Sequence, residues 1–164
     1  MYQSEQFELR LTINGEQLAL EVAYHELLLD VLRDRLGVTS AKRSCDIQIC
    51  GACTVLVDGV PVSACCTLAW ELRGKEVMTA EGLADGESLD SIQLAFIEHF
   101  ALQCGYCTPG MLMSAKHLLD EVDAPTDDQI KDYLSGNICR CGAYHSIVEA
   151  IHAAARRRLE VRTQ

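Results

Sequence analysis

The chain has 164 residues, of which 49% are apolar and 23% are charged, and its formal net charge is −10. This length suggests one domain or two small ones, with enough apolar side chains for a real core. The negative charge argues against nucleic-acid binding, which depends on neutralising phosphates, and no apolar run approaches the roughly 18 residues of a membrane span.

The first half of the chain predicts two hairpins, a helix and a final strand. Strands are predicted at residues 7–13, 18–22, 54–57, 60–64 and 77–79, and a helix at Glu26 to Leu36. Alternating apolar side chains indicate half-buried strands. Asn14-Gly15 and Asp58-Gly59 are strong signals for tight hairpin turns. These elements predict a small mixed sheet packed on one helix.

The pattern becomes helical after about residue 82. Ile92, Phe96 and Phe100 form the apolar stripe of a first helix, and Pro109 begins a second. Residues 126–129 have the sequence of a capping box for a third helix, and a fourth covers about residues 147–155. Four short helices predict a compact bundle. We therefore expect one domain at residues 1–82 and another at residues 83–164.

Three cysteines lie within one short loop, and a fourth follows a predicted strand. Cys45, Cys50 and Cys53 have C-x4-C-x2-C spacing, and Cys65 comes next. This spacing is typical of plant-type [2Fe–2S] ferredoxins. The alternatives are a disulfide, buried structural cysteines or zinc, although zinc usually requires a second close pair of ligands. An odd total of nine cysteines and the lack of a secretory signal favour reduced thiols or metal ligands in a cytoplasmic protein.

Four further cysteines fall at predicted turns between helices. Cys104 and Cys107 precede Pro109, and Cys139 and Cys141 precede the fourth helix. Two of these turns open onto helix N-termini, whose positive dipole ends favour a negatively charged cluster. C-x-C spacing is unusual for zinc, and no βαβ unit surrounds Cys104 and Cys107, as a thioredoxin-like pair would need. A cluster is favoured, with zinc and a redox pair as the open alternatives.

The motifs around these cysteines resemble a known family. The loop SCDIQICGACTVLVDG and the segments QCGYCTPGM and GNICRCGAY resemble the iron–sulfur subunit of the molybdenum hydroxylases. This family includes xanthine oxidase, carbon monoxide dehydrogenase and aldehyde oxidoreductase. The resemblance covers about residues 7–155. It implies an α+β fold in which an N-terminal β-grasp ferredoxin-like domain precedes a C-terminal four-helix bundle, with one [2Fe–2S] cluster in each.

The resemblance also implies roles for individual residues. Two sets of four cysteines would each bind one [2Fe–2S] cluster: an outer set of Cys45, Cys50, Cys53 and Cys65, and an inner set of Cys104, Cys107, Cys139 and Cys141. Gln103 and Cys141 would lie against the molybdopterin. We name these groups the outer and inner cysteine sets.

The function implied is that of an electron-transfer subunit in an oxidoreductase complex. Electrons would pass from a molybdopterin in a large partner subunit, through both clusters, to FAD in a medium partner subunit. A free-standing ferredoxin-like carrier or redox-sensing module is the alternative. The chain has no P-loop, no dinucleotide-binding glycine motif and no catalytic triad pattern. We therefore expect no substrate site in the chain itself.

Two details of the outer set differ from the simplest expectation. Many members of the family have more glycine in the loop, where this chain has Ser44 and the segment Asp46 to Ile49. Cys66, the ninth cysteine, directly follows Cys65. Because neighbouring residues of a strand face opposite sides, we expect Cys66 to point away from the cluster as a small buried side chain.

Overall fold

A computed structural model describes residues 5–162, and its first half is a five-stranded mixed sheet. The strands are β1 (Gln6–Ile13), β2 (Glu16–Ala23), β3 (Thr54–Val57), β4 (Val60–Ser63) and β5 (Glu76–Met78). Their order across the sheet is β2-β1-β5-β3-β4. The β1–β2 and β3–β4 pairs are antiparallel hairpins, whereas β5 pairs parallel with β1 and antiparallel with β3. Both predicted hairpins and the predicted final strand are confirmed.

The first helix is shorter than predicted. Helix α1 covers Leu28–Asp30 and continues as a π-helical turn over Val31–Arg35. Glu26 lies before it in a turn, where its amide donates to the carbonyl of Ala23 and its carboxylate accepts from the Ala23 amide. The helix packs fully buried leucine and valine side chains against the sheet, in one core with the buried residues of β1 and β3.

The second half of the described chain contains four α-helices. They are α2 (Ser91–Glu98), α3 (Thr108–Glu121), α4 (Asp127–Tyr133) and α5 (Tyr144–Arg162). The predicted capping box is present at Thr126 and Gln129, and Pro109 lies in the first turn of α3. These helices share a second core, to which β3 contributes Leu56. None of the helices in residues 5–162 has the length and apolarity needed to cross a membrane.

Phe100 does not belong to the predicted apolar stripe. Helix α2 ends at Glu98, and Phe100 adopts a left-handed backbone conformation with φ of 51°. Phe100 is 80% exposed, whereas Ile92 and Phe96 are buried. Phe100 continues the helical spacing of Ile92 and Phe96, but the helix ends two residues before it, at Glu98. The prediction that Phe100 belongs to the apolar stripe is therefore wrong.

Candidate functional site

The outer cysteine set comes together at one end of the sheet. Cys45, Cys50 and Cys53 lie in the irregular segment between α1 and β3, and Cys65 lies in a 3-10 turn, Ala64–Cys66, after β4. The amide of Ala64 donates to the carbonyl of Cys53 at 3.3 Å, which brings this turn beside the loop. A short loop and a strand end therefore supply the four thiols from two sides.

The thiols of the outer set differ in how easily they ionise. The backbone amides of Ile47, Cys50 and Ile49 lower the pKa of Cys45 to about 6, and two of them donate to its Sγ at 3.4 Å. Burial raises the pKa of Cys53 to about 12. Because the thiolate is the metal-binding form, Cys45 is ready to bind a cation at neutral pH. Cys53 would need the positive charge of a bound metal to be held as the thiolate.

The loop between Cys45 and Cys50 adopts backbone conformations that favour glycine. Asp46 and Gln48 have φ of 53° and 60°, in the left-handed region. Such a conformation costs a non-glycine residue about 1–2 kcal/mol. Asp46 and Gln48 therefore hold this loop in a backbone conformation that glycine adopts at lower cost.

Replacing Gln48 with glycine should stabilise the chain by roughly 0.5–1 kcal/mol, because relief of the left-handed conformation exceeds the extra entropy that glycine loses on folding. Thermal unfolding of the purified chain measures this change. Gln17→Gly is the matched control, since Gln17 is also exposed but lies in strand β2, where glycine is destabilising. If both variants lose stability, the backbone of the loop differs from this description.

The inner cysteine set surrounds a small cavity. Cys104 and Cys107 lie directly before α3, and Cys139 and Cys141 lie before α5. The Sγ atoms of Cys104 and Cys141 are 3.5 Å apart. The cavity has a volume of about 140 Å³ and is lined by all four thiol residues and also by Cys50 of the outer set. A liquid water molecule occupies about 30 Å³, so the space is larger than a single water needs.

Backbone amides favour ionisation of two inner thiols. The amide of Tyr106 lowers the pKa of Cys104, with help from the thiol of Cys141. Burial opposes ionisation of Cys139, but hydrogen bonds from the Ala143 amide and from Cys107 outweigh it and lower the pKa. Burial raises the pKa of Cys107 to about 12. Each set therefore contains at least one thiol whose pKa is lowered by hydrogen bonds and one whose pKa is raised by burial.

The arrangement differs from that of a single-ion site. Within residues 5–162, no three His, Cys, Asp or Glu side chains are grouped so that they could hold one metal ion. A [2Fe–2S] cluster has two irons and takes its four thiolates in two pairs. Four thiol residues around one cavity fit that chemistry for the inner set.

The two sets meet through a direct backbone contact. The amide of Ile138 donates to the carbonyl of Cys50 at 2.9 Å. The buried Asn137 side chain lies beside it and donates to the carbonyl of Gly51 at 3.1 Å. Asn137 was not among the site residues predicted from the sequence. Its only local signal is its position directly before Ile138-Cys139 in the GNICRCG segment.

Gln103 and Cys141, predicted to contact the molybdopterin, lie together at the surface. The Gln103 side-chain amide donates to the Cys141 carbonyl at 3.3 Å, and both residues are exposed. The side-chain carbonyl of Gln103 and the thiol of Cys141 therefore belong to one surface patch, next to the inner set.

Cys66 is not the buried, outward-facing residue that was predicted. It is exposed, and its Sγ lies 3.6 Å from the Sγ of Cys65. The expectation relied on strand geometry, but the chain turns into a 3-10 helix at Ala64–Cys66. Neighbouring residues in such a turn do not alternate between opposite faces, so both thiols lie near the outer loop.

Comparisons with known proteins agree with this geometry. Two family models match: a [2Fe-2S] binding domain over residues 79–152, and a 2Fe-2S iron-sulfur cluster binding domain over residues 16–103. The small FeS subunit of nicotinate dehydrogenase from Eubacterium barkeri is 43% identical, over 91% of this chain and 95% of that protein.

Solved structures give the same result. Quinoline 2-oxidoreductase from Pseudomonas putida 86 contains a chain that is 42% identical with a TM-score of 0.90, covering 94% of this chain and 98% of that one. Aldehyde oxidoreductase from Desulfovibrio desulfuricans is 43% identical with a TM-score of 0.88, and the match covers 93% of this chain but only 17% of that longer chain. The chain therefore belongs to the small iron–sulfur subunits of the molybdenum hydroxylases, as a component of an oxidoreductase complex.

Proposed function

We propose that this chain carries electrons from a molybdopterin centre in a large subunit to FAD in a medium subunit. The observation that carries the proposal is the junction of the two cysteine sets, where Cys50 of the outer set lines the cavity of the inner set. Two clusters bound to these adjoining cysteine sets would form a path for electrons through the chain. A free-standing ferredoxin-like carrier needs only one such group.

The outer set would hold one [2Fe–2S] cluster and the inner set the other. Each cluster, when bound, accepts and releases one electron at a time. The chain supplies the thiolates and the amide donors to sulfur at Cys45, Cys104 and Cys139. Hydrogen bonds to sulfur and limited solvent access are the means by which a protein sets a cluster potential.

The two ends of the path would face different partners. Gln103 and Cys141 would contact the molybdopterin of the large subunit. Phe100 and Tyr144, each three residues away in the chain from one of them, are exposed apolar side chains. The outer loop would face the FAD-binding subunit, where Ile47 and Ile49 are more than half exposed. Large apolar side chains at the surface are expected where a partner covers them.

We further propose a division into two domains, with a β-grasp ferredoxin-like domain at residues 1–82 and a four-helix bundle at residues 83–164. The separate cores of the sheet with α1 and of α2–α5 support this division. We also propose that the protein is cytoplasmic, in line with a cysteine content better suited to metal binding than to disulfides.

Size-exclusion chromatography of a native extract tests the subunit assignment. We expect the chain to elute with two larger subunits in a complex that contains iron, molybdenum and flavin. Iron and sulfide analysis should give about four irons per chain, two for each cluster. A lone 18.1-kDa species with full redox activity would contradict the proposal and favour the free-standing carrier.

A further inference from the structure

The two cysteine sets are joined by one buried amide side chain. Asn137 is 6% exposed and lies between the outer loop and helix α3. Its Nδ2 donates to the Gly51 carbonyl at 3.1 Å, and its Oδ1 accepts from the Ser114 hydroxyl at 2.7 Å. Asn137 thus connects the loop that holds Cys50 and Cys53 to the helix that follows Cys107.

The chemistry of the partners fixes the orientation of this amide. The Gly51 carbonyl can only accept, so the Asn137 nitrogen must face it. Ser114 then donates to the remaining oxygen. Loss of the amide would leave the buried Ser114 hydroxyl without its acceptor. The Gly51 carbonyl would keep the hydrogen bonds from the amide and hydroxyl of Thr54 but would lose its link to Asn137.

Backbone segments at this junction are in close contact. An added Cβ at Gly110 would overlap the carbonyl oxygen of Gly51, and one at Gly51 would overlap Gly136 and the Asn137 amide. Close approach of three backbone segments here requires glycine at both positions. The Ile138 amide, which lies next to the ligand candidate Cys139, also donates to the backbone carbonyl of Cys50.

We propose that Asn137 is a positioning residue that fixes the separation of the two clusters. The inference rests on the proposed function, because it concerns the step between the clusters. That step moves one electron and no atoms: the inner set's cluster is oxidised and the outer set's cluster is reduced. Asn137 takes no part in this exchange and acts by holding Cys50 and Cys139 at a constant distance.

The test is the magnetic interaction between the clusters in the fully reduced native complex, measured by EPR at low temperature. In the unmodified complex we expect two signals that are split by each other. Asn137→Leu keeps the side-chain size but removes both hydrogen bonds, and we expect it to lose or narrow the splitting and to slow electron transfer from the inner to the outer cluster. Ser114→Ala should produce the same changes to a smaller degree.

Thr126→Ala is the control, because it removes the cap of helix α4 and lowers stability without touching the junction. It should leave the splitting unchanged. An unchanged splitting in Asn137→Leu with both clusters present would overturn the inference. If Asn137→Leu fails to retain both clusters, Ser114→Ala decides the matter in the same way. The proposed function is judged separately: absence of two cluster signals in the unmodified complex would refute it before any variant is made.

Discussion

Replacement of Cys139 with serine is expected to remove the inner cluster and leave the outer one intact. Cys139 is 7% exposed, and the Ala143 amide stabilises its thiolate. Serine offers no thiolate, so this position would lose its ligand. Iron should fall from about four to about two atoms per chain, and one of the two EPR signals of the reduced complex should disappear. Electron flow from molybdenum to flavin should stop.

A variant of the outer set and a control variant test this assignment of ligands to the two clusters. Cys53→Ser should remove the other signal and retain the one lost in Cys139→Ser. Cys66→Ser should keep both signals and all the iron, because Cys66 lies outside both predicted sets although its Sγ is 3.6 Å from that of Cys65. Retention of both signals in Cys139→Ser would contradict the ligand assignment. Loss of both would mean that the two halves of the chain fold as one unit.

Replacement of Gly110 with alanine is expected to destabilise the chain strongly, although Gly110 lies in helix α3. In a helix, alanine is normally favoured over glycine by about 1 kcal/mol. Here the added methyl group would overlap the backbone oxygen of Gly51, and overpacking of this kind costs roughly 1–3 kcal/mol. We expect a lower melting temperature and a weaker interaction between the two EPR signals.

Gly136→Ala is the matched control for this variant. Gly136 lies in the same junction, directly before Asn137, but an added Cβ there meets nothing within 4 Å. The Gly136→Ala variant should have nearly the same melting temperature as the unmodified chain. If Gly110→Ala is as stable as Gly136→Ala, the close contact between α3 and the outer loop is absent in solution.

Local sequence signals were sufficient to predict most of the fold. The Asn14-Gly15 turn has φ of 51° and 83°, as a type I′ hairpin requires. The Thr126 capping box and the Pro109 helix start also depend on neighbouring residues only. The cysteine spacings were equally local, and the family matches agree with the cluster type that they indicate.

Features that depend on contacts between distant segments were not predictable. Asn137 contacts Gly51, which is 86 residues away in the chain, and no local pattern indicates this pairing. Cys66 was placed wrongly because a 3-10 turn replaces the end of the strand. Phe100 continues the helical period, but α2 ends before it is reached. In each case tertiary contacts or a change in backbone conformation override the periodic pattern.

EPR spectroscopy of the native complex, combined with iron analysis, tests the central claim most directly. The claim is that this one chain holds two [2Fe–2S] clusters close to each other as an electron path. It predicts two distinct signals of equal spin in the reduced complex, both lost on oxidation, with about four irons per chain. A single signal with half that iron, or zinc in place of iron, would contradict it.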